Sequence, residues 1–403
     1  MSQELLSIPR QSFSAVNGGS VHQCNEMTYS RAFPKSDLIW FDTAAQSPLP
    51  FVAVEAAMRA LNWEARPDTM PLDADVVVPR RLKEAISALI GAQRDEIVLG
   101  NSATYGLNLL AQSLKLKEGD EVVLVHGDFP STILPWLPLV QSGVSVRMIS
   151  PSDQHLSVDD VRGALSSRTK VFAASWVNSF TGAVMDMNAI GEVCRKSSVT
   201  FILNASQAVG ALPIDVSQAP VDAVVSCGQK WLCGPNGTGF CWVSGALRDR
   251  LQLVQIYYKT AQAANGATSM RDYRVADGRG GAGMDVFGYG HFMSFGALAA
   301  AVELLTSIGP NIIANYNRDL VERILDGLDR KRFGLIGPKQ TGSRSALVLL
   351  KVLDGSTEHV CAALASAKVK FSLREGNIRL SPHFFNTSSE VDAVLAVLNG
   401  HRS

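Results

Sequence analysis

Short runs of apolar residues recur along the middle of the chain, and stretches with helical periodicity lie between most of them. The runs are rich in Val, Ile, Leu and Phe and show little alternation of polar and apolar positions, which is typical of strands buried on both faces. We therefore predict strands at residues 121–126, 144–150, 170–177, 199–205 and 221–228, with a further strand at 237–245. Short strands alternating with helices predict a mostly parallel sheet covered on both faces.

The remainder of the chain divides around this core. The first 37 residues are polar and rich in Gly and Ser, and residues 38–50 read as a short strand and a turn. Apolar periodicity predicts helices at residues 51–65, 80–92 and 290–309, and residues 96–114 read as a strand, a Ser/Thr turn and a helix. We predict an arm (1–37), a large α/β domain (38–288) and a small α+β C-terminal domain (289–403).

Composition narrows the classes of partner. Lys plus Arg and Asp plus Glu both number 37, so the formal charge is zero and no general attraction to nucleic acid or to an anionic membrane is implied. The six cysteines are scattered without paired CxxC spacing, which favours a reducing compartment such as the cytoplasm and predicts no metal site. No apolar run of membrane-spanning length and no secretory signal is visible.

Polar residues follow five of the predicted strands, at the edge where open α/β sheets bind ligands. These strand ends are residues 101–104, 126–129, 176–178, 204–207 and 227–230. Strands can simply end in polar turns, but five coincident ends, one of them carrying a lysine, favour a functional site.

Lys230 is the most informative of these residues. It follows the apolar run "VDAVVSCG" and precedes Trp231 and the glycine-rich turn "CGPNGTG". Two interpretations are open: the lysine packs its stem on the core and extends its amine to water, or a pocket holds the amine for chemistry.

The segment "NSATYG" at residues 101–106 begins a predicted helix. Free backbone N–H groups and the helix dipole at such a position can bind an anion. An ordinary capping turn explains the same residues equally well.

Together these segments resemble pyridoxal-5′-phosphate (PLP) enzymes of fold type I, in the aminotransferase class V branch that contains cysteine desulfurases, isopenicillin N epimerases and kynureninases. The resemblance extends from about residue 38 to the C-terminus. It rests on "SCGQKWLCGPNGTGF", "NSATYGLNLLA", "GDFPSTILPW", "TFILNASQAVGALPIDV" and "SLREGNIRLSPHFFN", which occur in the family's order. It implies a PLP-dependent transferase fold with a mostly parallel seven-stranded sheet, and a homodimer.

The resemblance also implies roles for individual residues. Lys230 matches the lysine that forms the Schiff base with the cofactor, Phe129 matches the aromatic residue that stacks on its ring, and Arg379 matches the arginine that binds a substrate carboxylate. Ala103 and Thr104 are the implied contacts to the phosphate of the cofactor. Asn178 and Gln207 are the implied contacts to its phenolic oxygen.

Three departures from the family pattern change the expected chemistry. Asn204 stands where the family has the Asp that keeps the ring nitrogen protonated, so the electron sink should be weaker. Gln229 replaces the family's His before the lysine and removes a titratable group over the ring. The interval "REGNI" lacks the cysteine on which desulfurases carry sulfur as a persulfide.

Two further positions keep alternatives open. Tyr289 falls where the family often has a Thr from the neighbouring subunit near the phosphate, and packing is an equal alternative. Arg374 is either a second anion-binding group or a surface residue.

The sequence therefore predicts a PLP-dependent enzyme acting on an amino acid or amine. A substrate replaces Lys230 on the cofactor, and the freed amine then moves the Cα proton. Because Asn204 disfavours transamination, we expect a lyase of the carbon–sulfur type, with an aminotransferase or an epimerase as alternatives. A degenerate protein that only binds a metabolite or partner is an alternative of another class, and the retention of Lys230, Gln207 and Arg379 argues against it.

Overall fold

The computed structural model describes residues 29–152, 155–252, 254–255, 271, 281–286, 288 and 291–400. The strands of these residues, in chain order, are β1 (Ile39–Trp40), β2 (Ile97–Gly100), β3 (Glu121–Val125), β4 (Ser145–Ile149), β5 (Thr169–Ser175), β6 (Thr200–Asn204), β7 (Ala223–Cys227), β8 (Gly239–Val243), β9 (Phe333–Ile336), β10 (Val348–Val352), β11 (Val369–Lys370), β12 (Ser372–Arg374) and β13 (Asn377–Leu380). The α-helices used below are α1 (Phe51–Ala65), α2 (Ala74–Ile90), α3 (Ala103–Ser113), α4 (Pro130–Ile133), α5 (Val158–Ala164), α6 (Met187–Lys196), α7 (Gly245–Arg248), α8 (Phe292–Ile308), α9 (Pro310–Gly327), α10 (Thr357–Ser366) and α11 (Ser388–Leu398).

A seven-stranded sheet in the order β2-β8-β7-β6-β5-β3-β4 forms the centre of the fold. Strands β3 to β7 pair in parallel, and β8 runs antiparallel to both of its neighbours. Every residue of β3, β6 and β7 is buried, which agrees with their largely apolar sequences. The predicted α/β class with a mostly parallel sheet is confirmed.

A smaller antiparallel sheet in the order β12-β13-β10-β9 follows later in the chain. One hydrophobic cluster includes Phe172 and Phe201 of the large sheet together with Leu349 and Leu380 of the small one. The two sheets therefore share packed side chains, and the proposed division of the chain at residues 288 and 289 stays a prediction.

The predicted strand in residues 38–50 proves to be the two-residue β1, and it lies outside the large sheet. Ile39 pairs in parallel with Val369 of β11, and Asp42 forms a bridge with Ser381. An early segment of the chain is thereby tied to the small sheet, close to β13.

Helix α8 is apolar on nearly all sides because it is enclosed by other helices. It packs against α1 and α2, and ten of its residues are buried. Within the described residues, no single helix is long and apolar enough to cross a membrane.

Candidate active site

Lys230 lies in a closed loop between β7 and β8. The Gly228 N–H donates to the Thr238 carbonyl at 2.8 Å, and the Gly234 N–H donates to the Gly228 carbonyl at 2.8 Å. A Cβ on Gly228 would lie 2.0 Å from the Thr238 hydroxyl oxygen, so only glycine allows the two ends of the loop to approach this closely. This closure fixes the backbone on both sides of Lys230.

The amine of Lys230 is held against aromatic and cationic neighbours. Its Nζ lies 5.2 Å from the centre of the Phe129 ring. Burial is the main factor that lowers the pKa of Lys230; Cys227 opposes the shift, and the charges of Arg379 and Arg374 reinforce it. A lysine with a lowered pKa has more of the neutral amine that attacks carbonyl carbons, so the interpretation as a reactive lysine is favoured over a solvent-extended one.

Helix α3 supplies the anion-binding element beside this loop. The Ser102 hydroxyl caps the helix by accepting the Tyr105 N–H at 3.1 Å, and the N–H groups of the preceding residues Ala103 and Thr104 belong to the unsatisfied first turn. Gly239 at the start of β8 lies so close that a Cβ there would be 2.7 Å from the Ser102 carbonyl carbon. The helix start and the Lys230 loop are therefore packed together.

Asn204 ends β6 within a buried hydrogen-bond network. Its Oδ1 accepts from the Ser206 N–H at 3.1 Å and from the Ser206 hydroxyl at 2.7 Å, and its Nδ2 donates to the Thr132 hydroxyl at 2.8 Å. The Thr132 hydroxyl in turn lies 3.3 Å from that of Ser175. The side chain is only 4% exposed, so the orientation of its amide is set by these partners.

Asp128 is a buried acid of the site for which sequence reasoning predicted no role. Its carboxylate accepts the N–H groups of Phe129 at 2.6 Å and Ser175 at 2.7 Å. Burial raises the pKa of Asp128, and hydrogen bonds from Ser175 and Phe129 oppose that shift. The signal in the sequence that could have indicated a role for Asp128 is its position directly before Phe129, after the end of β3.

The two predicted amide contacts lie nearby. The Gln207 Oε1 accepts the Trp231 indole N–H at 2.8 Å, and its Nε2 donates to the Ala44 carbonyl at 3.0 Å. The Asn178 Oδ1 accepts the N–H groups of Phe180 and Thr181, which leaves its Nδ2 without a protein partner in the part of the chain that the structure describes. Both amides keep an N–H that can donate to a bound oxygen.

Arg379 is a buried cation that is incompletely paired. Its side chain is 1% exposed, and its Nη2 lies 3.6 Å from Oδ1 of Asp42. Its Nε and Nη2 have no hydrogen-bond partner among the described residues. Burial lowers the pKa of Arg379 to about 10, with a further contribution from Arg374. Such a guanidinium is suited to bind a carboxylate.

Arg374 shares a face of the β12–β13 hairpin with Arg379. Ser372 pairs directly with Arg379, and Arg374 lies two residues beyond Ser372 on the same face. The Arg374 guanidinium is half-buried and donates to the Leu373 carbonyl, and its charge lowers the pKa of both Arg379 and Lys230. The structure therefore favours the anion-binding interpretation of Arg374 over a surface residue.

Two of the predicted site residues, Gln229 and Tyr289, have no side-chain role that the described residues reveal. The Gln229 carbonyl accepts the Ser47 N–H at 2.8 Å, which attaches the lysine loop to the segment before α1. Tyr289 lies outside the described residues.

A lysine, an aromatic ring and a helix N-terminus with free N–H groups are chemically suited to PLP. A buried arginine whose Nε and Nη2 have no hydrogen-bond partner among the described residues is suited to a substrate carboxylate.

Comparisons with known proteins show the family of the chain. A family model described as aminotransferase class-V matches residues 39–394, and the chain belongs to that family. A probable cysteine desulfurase from Methanothermobacter thermautotrophicus is 24% identical over 379 residues, covering 88% of this chain and 92% of the relative. The isopenicillin N epimerase of Streptomyces clavuligerus is 24% identical over 375 residues, covering 89% and 93%.

The fold is also similar to that of the cystine C–S lyase solved with its product cysteine persulfide, with a TM-score of 0.82, 19% identity, and coverage of 90% of this chain and 97% of that chain. The predicted family, the PLP fold and the PLP dependence are thereby confirmed. The chain is a PLP-dependent enzyme of the lyase or aminotransferase-like type. The roles of the individual site residues remain predictions.

Proposed function

We propose that this enzyme is a carbon–sulfur lyase that eliminates a sulfur leaving group from Cβ of an amino acid. The observation that carries the proposal is the buried Arg379, whose Nε and Nη2 lack hydrogen-bond partners among the described residues and whose charge acts on Lys230. Buried N–H groups of a guanidinium without hydrogen-bond partners are costly, and a substrate anion that binds to them removes this cost. A carboxylate held there belongs to a substrate that reacts at Lys230.

The residues divide the work as follows. PLP, when bound, supplies the electron sink for negative charge at Cα. Lys230 would hold the cofactor, and its amine, when free, would remove the Cα proton of the substrate. Arg379 orients the substrate through two parallel hydrogen bonds, and Phe129 covers the ring face and excludes water.

The β12–β13 hairpin favours elimination over sulfur transfer to an enzyme cysteine. Arg374 pairs with Asn377, so only Glu375 and Gly376 form the turn, with φ of 48° and 75°. Positive φ at both positions is typical of a tight type I′ turn. This turn contains no cysteine that could accept sulfur from a substrate.

Elimination has a defined balance for a disulfide substrate. L-Cystine and water give pyruvate, ammonia and cysteine persulfide: the Cα–H and Cβ–S bonds break, and the departing sulfur takes up a proton. The relationship to a cystine C–S lyase supports L-cystine as the first substrate to test.

The products distinguish the alternatives. Elimination predicts pyruvate and ammonia in equal amounts with the released persulfide or thiol. Alanine with released sulfur would indicate a desulfurase, a D-amino acid an epimerase, and a keto acid formed only with an added acceptor an aminotransferase. Lys230→Ala is the control for background chemistry, and alanine as the main product would overturn the proposal.

We also propose a cytoplasmic homodimer. Large apolar side chains are exposed on α1, on the segment that leads into α2 and on the first turn of α2, and such surfaces are typical of association sites. They are Val52, Met58, Leu61, Leu72 and Val76. The five cysteines of the described residues are free, which supports a reducing compartment. Light scattering of the purified protein tests the dimer.

A further inference from the structure

We propose that Asn204 presents an N–H donor to an unprotonated ring nitrogen of PLP, and that Asp128 is the positioning residue that ends the hydrogen-bond chain holding Asn204 in this orientation. The chain runs from Asn204 through the hydroxyls of Thr132 and Ser175 to the Asp128 carboxylate. The inference rests on the proposed cofactor site.

The direction of this chain is fixed at the Asn204 end. A backbone N–H can only donate, so the Asn204 atom that faces the Ser206 N–H at 3.1 Å is the oxygen. Its nitrogen therefore faces Thr132, and the Thr132 hydroxyl oxygen accepts at 2.8 Å. The hydroxyl hydrogen of Thr132 is left to donate to Ser175, whose oxygen lies 3.3 Å away.

The chain must then end on an acceptor, and Asp128 supplies one. Its carboxylate accepts the N–H groups of Phe129 at 2.6 Å and Ser175 at 2.7 Å, and the Ser175 side chain lowers its pKa. Asp128 is 7% exposed and forms no ion pair with a basic side chain among the described residues, so these donors are what stabilises its carboxylate. The hydroxyls of Thr132 and Ser175 thus lie between this carboxylate and Asn204.

Asn204 retains one N–H after these bonds are counted. Its Oδ1 already accepts two hydrogen bonds, whereas Nδ2 carries two hydrogens and uses one. The ring nitrogen of PLP lies opposite the carbon that Lys230 binds, and a donor can pair with it only when it is unprotonated. A protonated nitrogen would face a second donor and leave both unpaired.

The first experiment is nitrogen-15 NMR of the holoenzyme with PLP labelled at the ring nitrogen. We expect the chemical shift of an unprotonated, hydrogen-bonded nitrogen in the parent protein and that of a protonated nitrogen in Asn204→Asp. A protonated nitrogen in the parent protein would overturn the inference.

The second experiment tests the chain itself by cofactor binding to the apoenzyme. We expect PLP to bind roughly tenfold more tightly than an analogue with carbon in place of the ring nitrogen, because the analogue leaves the Asn204 donor unpaired. Thr132→Val and Ser175→Ala should reduce this ratio at least threefold, whereas Thr132→Ser, which keeps the hydroxyl, should retain it.

The outcomes separate this inference from the proposed function. An unchanged ratio in Thr132→Val and Ser175→Ala, or equal binding of PLP and the analogue by the parent protein, would overturn the inference and leave the PLP enzyme intact. Failure of PLP to bind Lys230 at all would overturn the cofactor site first. Should Thr132→Val fail to fold, Ser175→Ala still tests the same link, because it keeps the backbone N–H that binds Asp128.

Discussion

The amine of Lys230 lies over the face of the Phe129 ring, 5.2 Å from its centre. The two residues come from the ends of different strands, β7 and β3, which are separated in the sheet by β6 and β5. Their contact shows that the segments following β3 and β7 meet although β5 and β6 lie between these strands in the sheet, and Asn204 is the last residue of β6. The order of the strands therefore brings the amine and the ring together.

Lys230 should be the attachment point of the cofactor. Borohydride reduction of the holoenzyme followed by peptide mapping is expected to place the phosphopyridoxyl group on Lys230, because its lowered pKa favours the neutral amine. Lys230→Arg should abolish the label, whereas the exposed control Lys170→Ala should retain it. Label on another lysine of the parent protein would contradict the assignment.

Arg379→Ala should raise KM for the amino-acid substrate roughly 10- to 100-fold, because two charge-assisted hydrogen bonds to the carboxylate are lost. Arg379→Lys should recover part of the loss, since an ammonium lacks the planar fork. The cofactor absorbance should remain. Unchanged kinetics of Arg379→Ala would indicate that Arg374, and not Arg379, binds the substrate carboxylate. Arg374→Ala is the matched comparison.

Asn204→Asp should increase transamination relative to elimination. A carboxylate at this position can keep the ring nitrogen protonated, which lengthens the lifetime of negative charge at Cα. The measurement is pyruvate formed from L-alanine, an amino acid that has no leaving group on Cβ. No increase over the parent protein would show that the side chain of residue 204 does not control the ring nitrogen.

Acid should destabilise the protein through His383. This imidazole is fully buried, and burial lowers its pKa from 6.5 to about 3. The unfolded chain therefore takes up the proton first, so stability is complete above pH 6.5 and is lost as the pH falls from 6.5 toward 3. The slope attributable to this residue is about 1.4 kcal/mol per pH unit.

His383→Gln provides the comparison for this slope. His383 lies 3.1 Å from the Trp231 carbonyl, next to Lys230, and a glutamine amide can donate there without titrating. Denaturant midpoints measured at several values between pH 7 and pH 4 should fall less steeply in this variant than in the parent protein. Parallel slopes would assign the acid sensitivity to other groups.

The sequence predicted the large sheet well because each of its strands can be recognised from its own apolar residues. Runs such as residues 221–228 are apolar throughout, and the structure has Ala223–Cys227 there. The helix predicted at residues 80–92 begins earlier in the structure, at Ala74, and contains Pro79 in its interior. Packing against α8 keeps the helix continuous through the proline.

Within the site, the sequence located residues whose motif is local and missed those defined by distant contacts. Lys230 and Arg379 stand in recognisable segments. Asp42 contacts Arg379 across the whole length of the chain, and nothing in its own neighbourhood marks it as part of the site. Asp128 was missed because its role depends on Ser175, which the sheet brings beside it.

The contact between Asp42 and Arg379 also determines when the enzyme becomes competent during its synthesis. Domains generally fold from the N-terminal side as the chain emerges from the ribosome. Lys230, Phe129 and the α3 N-terminus can come together early in synthesis. Ile39 can pair only after Val369 has been made, and Asp42 can form its contacts only after Arg379 and Ser381 have been made. A nascent chain that has already assembled the residues around Lys230 therefore still lacks Arg379. We expect turnover of a carboxylated substrate to begin only after residues 369–381 have been made.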